Sequence, residues 1–252
     1  MVESTSGASG PQLRRVAMWS GPRNISTALM RSWGNRSDTF VCDEPLYAHY
    51  LQYTGLDHPG RAETLAGHET DWRTVTGWLV GHEPAGKAVF YQKHMAHHLL
   101  PHVRGDWLGG LTNCFLIRHP REMIPSLAKH LPDFAAEETG LPQQVALFEA
   151  ERDRTGTAPP VIDARDVLTD PEGMLRRLCE AVGVAFEPSM LQWEPGLRET
   201  DGAWAPFWYR EVVHTTTFQP YRPKEDPVPD HLRRVYEECL PLYESLYDHR
   251  LG

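Results

Sequence analysis

The run Gly21-Pro22-Arg23-Asn24-Ile25-Ser26-Thr27 carries the densest chemistry in the chain. It follows an apolar stretch ending at Ser20 and precedes a helical pattern. A strand-to-helix turn of this kind leaves backbone N–H groups unpaired at a helix start. Their partial positive charge accepts a phosphate or sulfate. Gly21 lets the chain turn tightly. Arg23 adds a full charge and a planar fork of donors. Ser26 and Thr27 add hydroxyls. The Gly-Lys-Ser/Thr ending of an ATP-binding loop, whose hydroxyl holds Mg²⁺, is missing. A reaction that needs no metal is therefore favoured over phosphoryl transfer. A plain capped helix beside a surface arginine is the alternative reading.

Two other clusters have reactive side chains. His94, His97, His98 and His102 contain two i,i+4 pairs, which on a helix share a face and can hold a metal. Pro101 interrupts that helix and no His-Glu-x-x-His pattern is present, so no metal is expected. Asp43 and Glu44, after a second apolar stretch, belong near the same sheet edge as the loop at 21–27.

These residues need a scaffold, and the hydrophobic pattern supplies one. Strands are expected at 14–20, 38–43, 87–93, 112–118 and from 160. Helices are expected at about 25–34, 71–82, 121–131, 142–156, 170–183 and 230–249. Asp170 is placed to cap the helix at 170–183, Pro171 stands in its first turn and Gly183 ends it. Residues 185–230 read as irregular and aromatic-rich. Alternation of strand and helix implies an α/β fold with a central parallel sheet flanked by helices. One domain over 13–252 is expected, after a Ser/Gly-rich disordered tail at 1–12 that lacks the apolar core of a signal peptide.

Composition narrows the function. A net charge of -9 disfavours a nucleic-acid partner, which needs a basic surface. No apolar run reaches the ~18 residues of a membrane span. Four widely spaced cysteines suggest reduced thiols and a cytoplasmic location.

The loop at 21–27 resembles the 5'-phosphosulfate-binding loop of the sulfotransferase family, roughly Pro-Lys/Arg-Ser-Gly-Thr/Ser-Thr after the first strand. Pro22, Arg23, Ser26 and Thr27 match it; Asn24 and Ile25 stand where Ser and Gly are usual, and Ile tolerates positive φ poorly. Arg118 and Ser126 are similar to the family's strand-end Arg and the Ser eight residues on, which bind a 3'-phosphate. The stretch Tyr91–Pro101 resembles the segment carrying the family's catalytic His, and aligning Leu99-Leu100-Pro101 puts His94 on that base, with Lys93 one place off the family lysine. The segment 161–184 is similar to a mainly structural family stretch. The resemblance spans about 15–185 and implies a P-loop-like sulfotransferase fold. It also implies PAPS (3'-phosphoadenosine-5'-phosphosulfate) as donor, a small-molecule hydroxyl or amine as acceptor, and 3',5'-ADP as product. Arg23 would steady the leaving charge. Glu44 is a rival base, since some family members use an acidic residue near there. Arg222 and Lys224 are carried over as the late basic loop that grips the 3'-phosphate. The aromatic stretch 204–214 is a candidate acceptor wall. A kinase or NTPase, a non-catalytic nucleotide-binding module and a metal-dependent hydrolase remain as alternatives.

Overall fold

The computed structural model describes residues 13–252; the tail expected over 1–12 lies outside the described residues. The strands are β1 (Arg14–Ser20), β2 (Thr39–Asp43), β3 (Val89–Met95), β4 (Thr112–Ile117) and β5 (Val161–Asp163). The helices are α1 (Ser26–Gly34), α2 (Tyr47–Thr54), α3 (Arg61–Gly67), α4 (Trp72–Gly81), α5 (Pro120–Ala128), α6 (Leu141–Thr155), α7 (Ala164–Thr169), α8 (Pro171–Ala181), α9 (Ala205–Trp208) and α10 (Arg233–Tyr247). The sheet is parallel throughout, in the order β2-β3-β1-β4-β5.

Side-chain alternation on the strands divides the core. Ala17 and Trp19 of β1 enter the layer covered by α4, α5, α6 and α10. Val16 and Met18 enter the layer covered by α1, α7 and α8. Both faces of β1 are sealed, which is why RRVAMWS reads as an almost continuous apolar run. The helix expected at 170–183 is α8: Asp170 accepts from Gly173 N at 3.0 Å, and Gly183 takes φ 74°. Three features go beyond what the sequence pattern showed. β3 runs two residues past 93, so His94 lies inside a strand and not on a metal-binding helix. β5 stops at Asp163, whose carboxylate accepts from Arg165 N at 2.7 Å and turns the chain into α7. The segment 45–67, which offered no readable motif, forms α2 and α3.

The irregular stretch 185–230 is folded over α1 and the C-terminal edge of the sheet. Arg31 of α1 and Asp201, each with a side chain 3% exposed, form a two-pronged ion pair, one contact at 2.6 Å. Gly202 N donates to Asp43 at the end of β2. These contacts deliver α9 to the sheet edge where the reactive residues sit.

Gly21 is needed for close approach. A Cβ there would stand 2.3 Å from the Thr139 carbonyl oxygen in the turn before α6. Gly21→Ala is expected to lower stability by about 1–3 kcal/mol, the usual cost of overpacking. Urea denaturation checks this; an unfolding midpoint equal to that of the parent would disprove the close contact.

Candidate active site

β1 is where the strand order reverses, with β3 on one side and β4 on the other. Open α/β sheets bind ligands in the crevice at such a point. Three segments meet here: the loop after β1, the end of β3 and the residue after β4. Together with the strap at 204–224 they enclose a cavity of about 520 Å³. Pro22, Arg23, Asn24, Ile25, Ser26 and Thr27 line it, as do Glu44, Arg118, Ser126, Arg222 and Lys224. Gly21 lies under the loop against the Thr139 segment.

The loop backbone is strained. Arg23 and Ile25 have φ of 62° and 59°, a left-handed region that a β-branched residue enters only at a cost of roughly 1–3 kcal/mol. Ile25 nonetheless holds the conformation that Gly would adopt freely, with its side chain packed on the layer beneath α1. It is the N-cap of α1 and makes no side-chain cap bond. Asn24 is buried, and with its amide oriented to satisfy both ends the nitrogen donates to Pro22 O at 3.1 Å and the oxygen accepts from Gly21 N at 3.3 Å.

Arg118 donates to Arg23 O at 2.8 Å, and Arg23 Nε donates to Ser126 Oγ at 3.1 Å. Arg118 also forks onto Glu122 at 3.0 and 3.1 Å, and the Tyr221 hydroxyl donates to the other Glu122 oxygen at 2.6 Å. Glu122 and Tyr221, which sequence reasoning missed, thus pin the strap carrying Arg222 and Lys224 against α5. Burial, and secondarily Arg118, depresses the Arg23 pKa, while Glu211 at 3.8 Å opposes the shift. Two guanidiniums held this close suit an anionic ligand.

At the other end the buried group is Lys93. Its ammonium donates to Asp43 and to the Tyr209 hydroxyl, each at 2.8 Å, and to Glu44. The Tyr209 hydroxyl in turn donates to Asp43 at 2.7 Å and accepts from Trp204 Nε1 at 3.2 Å. Lys93 has three N–H donors, and all three are used. The carboxylates raise its pKa well above the ordinary lysine value, although burial opposes them. Burial raises the Glu44 pKa, with Lys93 working against it. Glu44 also has φ 39° and a backbone N–H bonded to Lys93 O at 2.9 Å.

His94 does not reach the cavity. It points to the opposite face of β3 from Lys93, is 1% exposed, and stacks on Trp19 at 4.1 Å. Burial, with the Lys93 charge adding to it, presses its pKa down to about 3. The base assigned to His94 by alignment is therefore corrected: the residue is a core aromatic. Its neighbours His97 and His98, in a short 3-10 turn, do line the cavity. His102 sits apart, with its ring on His49 at 2.8 Å. Among the described residues no group of three or more His, Cys, Asp or Glu is placed to hold a metal ion.

The family model described as a sulfotransferase domain matches residues 14–249. The chain belongs to the sulfotransferase family. Two curated plant relatives of this chain come from Arabidopsis thaliana: branched-chain-amino-acid aminotransferase-like protein 2, 36% identical over 234 residues, and protein 1, 38% over 237. Each match takes in 93% of the chain, but the chain spans only 41% and 42% of the relatives. Solved structures share the fold. The sulfotransferase domain of the curacin biosynthetic pathway is 16% identical with a TM-score of 0.53, covering 91% of this chain and 98% of that one. That of the Synechococcus PCC 7002 olefin synthase is 16% identical with a TM-score of 0.55, covering 94% and 98%. A sulfotransferase from Alicyclobacillus acidocaldarius is 13% identical with a TM-score of 0.55, covering 95% and 97%. At these identities the structural likeness speaks to architecture alone.

Lys93→Met leaves two buried carboxylates with no counter-charge. It is expected to cost about 3–5 kcal/mol. Urea unfolding at pH 7 checks this, and a loss below about 1 kcal/mol would mean the network is not held together by Lys93.

Proposed function

We propose that this sulfotransferase moves a sulfuryl group from PAPS to a hydroxyl (or amine) of a small-molecule acceptor and releases 3',5'-ADP. One observation carries the reading: the loop at 22–27 and the Arg118–Ser126 pair line a single cavity, with a buried carboxylate on its other wall. One cavity lined by both clusters suits a nucleotide with two anionic groups. The unpaired amides at the start of α1 and Arg23 would hold the 5' end; Arg118 and Ser126, with Arg222 and Lys224, would hold the 3'-phosphate. The aminotransferase-like names of the plant relatives describe proteins more than twice as long, so the sulfotransferase match weighs more.

Bound there, the donor supplies an electrophilic sulfuryl group: a bond from sulfur to the acceptor oxygen forms as the bond from sulfur to the phosphate oxygen breaks, and the electron pair leaves with 3',5'-ADP. Glu44 takes the acceptor's proton. Burial raises its pKa toward working pH, which improves it as a base. Lys93 orients Glu44 and is itself held by Asp43 and Tyr209. Arg23 and the loop amides offset charge collecting on the leaving phosphate.

Calorimetry with 3',5'-ADP and 5'-AMP tests the donor site. The bisphosphate is expected to bind at least about tenfold tighter, and Arg118→Ala to erase most of that difference. Equal affinities for the two nucleotides would reject PAPS.

Glu44→Gln is expected to lower kcat by ~10²–10⁴ with 3',5'-ADP affinity kept. The base works unprotonated, so the rate falls as pH drops through a pKa above the ordinary carboxylate value of ~4.3. A rate unaffected by pH down to about 4 would instead point to a neutral ring such as His97, whose pKa burial presses down to about 3.

A further inference from the structure

The acceptor's chemistry is written in the unequal charge of the two cavity ends. Every lysine and arginine lining the cavity, Lys93 apart, is tied to the nucleotide end. Arg23 sits on Ser126, Arg118 on Arg23 O and Glu122, and Lys129 on Asp226 at 2.7 Å. Arg222 and Lys224 follow Tyr221, which is bonded to Glu122. Lys93 has spent its three donors on Asp43, Glu44 and Tyr209. Among the described residues the other end therefore has no free cation. It holds two carboxylates, Glu44 and Glu138, and Tyr47, Trp204 and Trp208 also line the cavity.

His97 and His98 complete that end. They are 8% and 2% exposed, line the cavity, and leave Nδ1 buried with no hydrogen-bond partner. Burial, with a smaller contribution from His58 in each case, lowers the pKa of His97 to about 3 and that of His98 well below the ordinary value, so both rings are neutral at pH 7. Each neutral ring offers one acceptor nitrogen and one N–H, with no charge to attract an anion.

We propose that this end takes a cationic hydroxyl compound, an ammonium-bearing phenol or alcohol, with the ammonium facing Glu138 and the imidazoles of His97 and His98. The inference rests on the sulfuryl-transfer reading for the identity of the cavity as an acceptor site. An anionic acceptor meets Glu138 and Glu44, and Lys93 is already committed to Asp43 and Glu44. A neutral one fills the aromatic walls but leaves Glu138 uncompensated.

The test uses three para-substituted phenols of similar size on the full chain: tyramine, 4-propylphenol and 3-(4-hydroxyphenyl)propanoate. Their affinities are measured at pH 7.5 with and without 3',5'-ADP. Tyramine is expected to bind about tenfold or more tighter than the neutral compound, and the propanoate weaker still. Glu138→Gln, which keeps the acceptor oxygen that Ala135 N uses, is expected to cut the tyramine advantage several-fold. Equal or reversed order, or no tyramine binding in either state, overturns the proposal. An advantage unchanged in Glu138→Gln overturns the placing of the ammonium. The affinity of 3',5'-ADP by itself reports on the donor site, so failure of the transferase reading is seen separately. The charge order among the phenols without nucleotide still decides the acceptor end.

Discussion

One ammonium, buried at the end of β3, ties the reactive edge of the sheet together. Lys93 bonds β2 through Asp43, the turn after β2 through Glu44, and the strap through Tyr209. Taking a charge out of water is expensive, and it is tolerated here because every donor on the nitrogen finds an oxygen. The consequence is positional. Glu44 is fixed at the cavity wall in a strained left-handed conformation, and Trp204 is drawn in above it by its bond to Tyr209. Partly satisfied, such a network would be worse than an apolar core, so its members stand or fall as one unit.

The second organising feature is the separation of charge along the cavity. Apart from Lys93, which is paired with Asp43 and Glu44, the cations lining the cavity collect where β1 and β4 end, supported by Glu122 and the strap, while the β2–β3 side keeps its carboxylates and neutral imidazoles. A chain with net charge -9 can still present a locally basic pocket, because a few guanidiniums held by backbone carbonyls and one carboxylate dominate the field nearby. Strain has the same address: among the described residues the non-glycine residues with positive φ, Arg23, Ile25 and Glu44, all lie on this cavity.

Much of the framework was legible in the residues. The apolar run at 14–20 and the glycine-bounded run at 112–118 could only be buried strands, and both are. Asp170, Pro171 and Gly183 announced a capped helix. The segments at 47–67 escaped notice because their pattern is short and mixed, and their helices are stabilised by packing under the strap. His94 was misassigned because alignment on Leu99-Leu100-Pro101 fixes distance along the chain and not the face of a strand. A shift of one residue on β3 exchanges cavity for core, so Lys93 and His94 have opposite fates. Ile25 argued against a left-handed turn, and tertiary packing imposed the turn regardless.

What the sequence determined by itself is local: which stretches are strands, where a helix starts, and that a tight strand-to-helix turn follows the first strand. Those features depend on side-chain size, periodicity and backbone freedom within a few residues. What only the tertiary structure decided is which distant groups share one space. Lys93 with Asp43, Glu44 and Tyr209, and Arg23 with Arg118 and Ser126, are brought together by the strand order and by a strap anchored at Asp201 and Tyr221. Such long-range pairings are set by how the layers pack, and no window along the chain contains them.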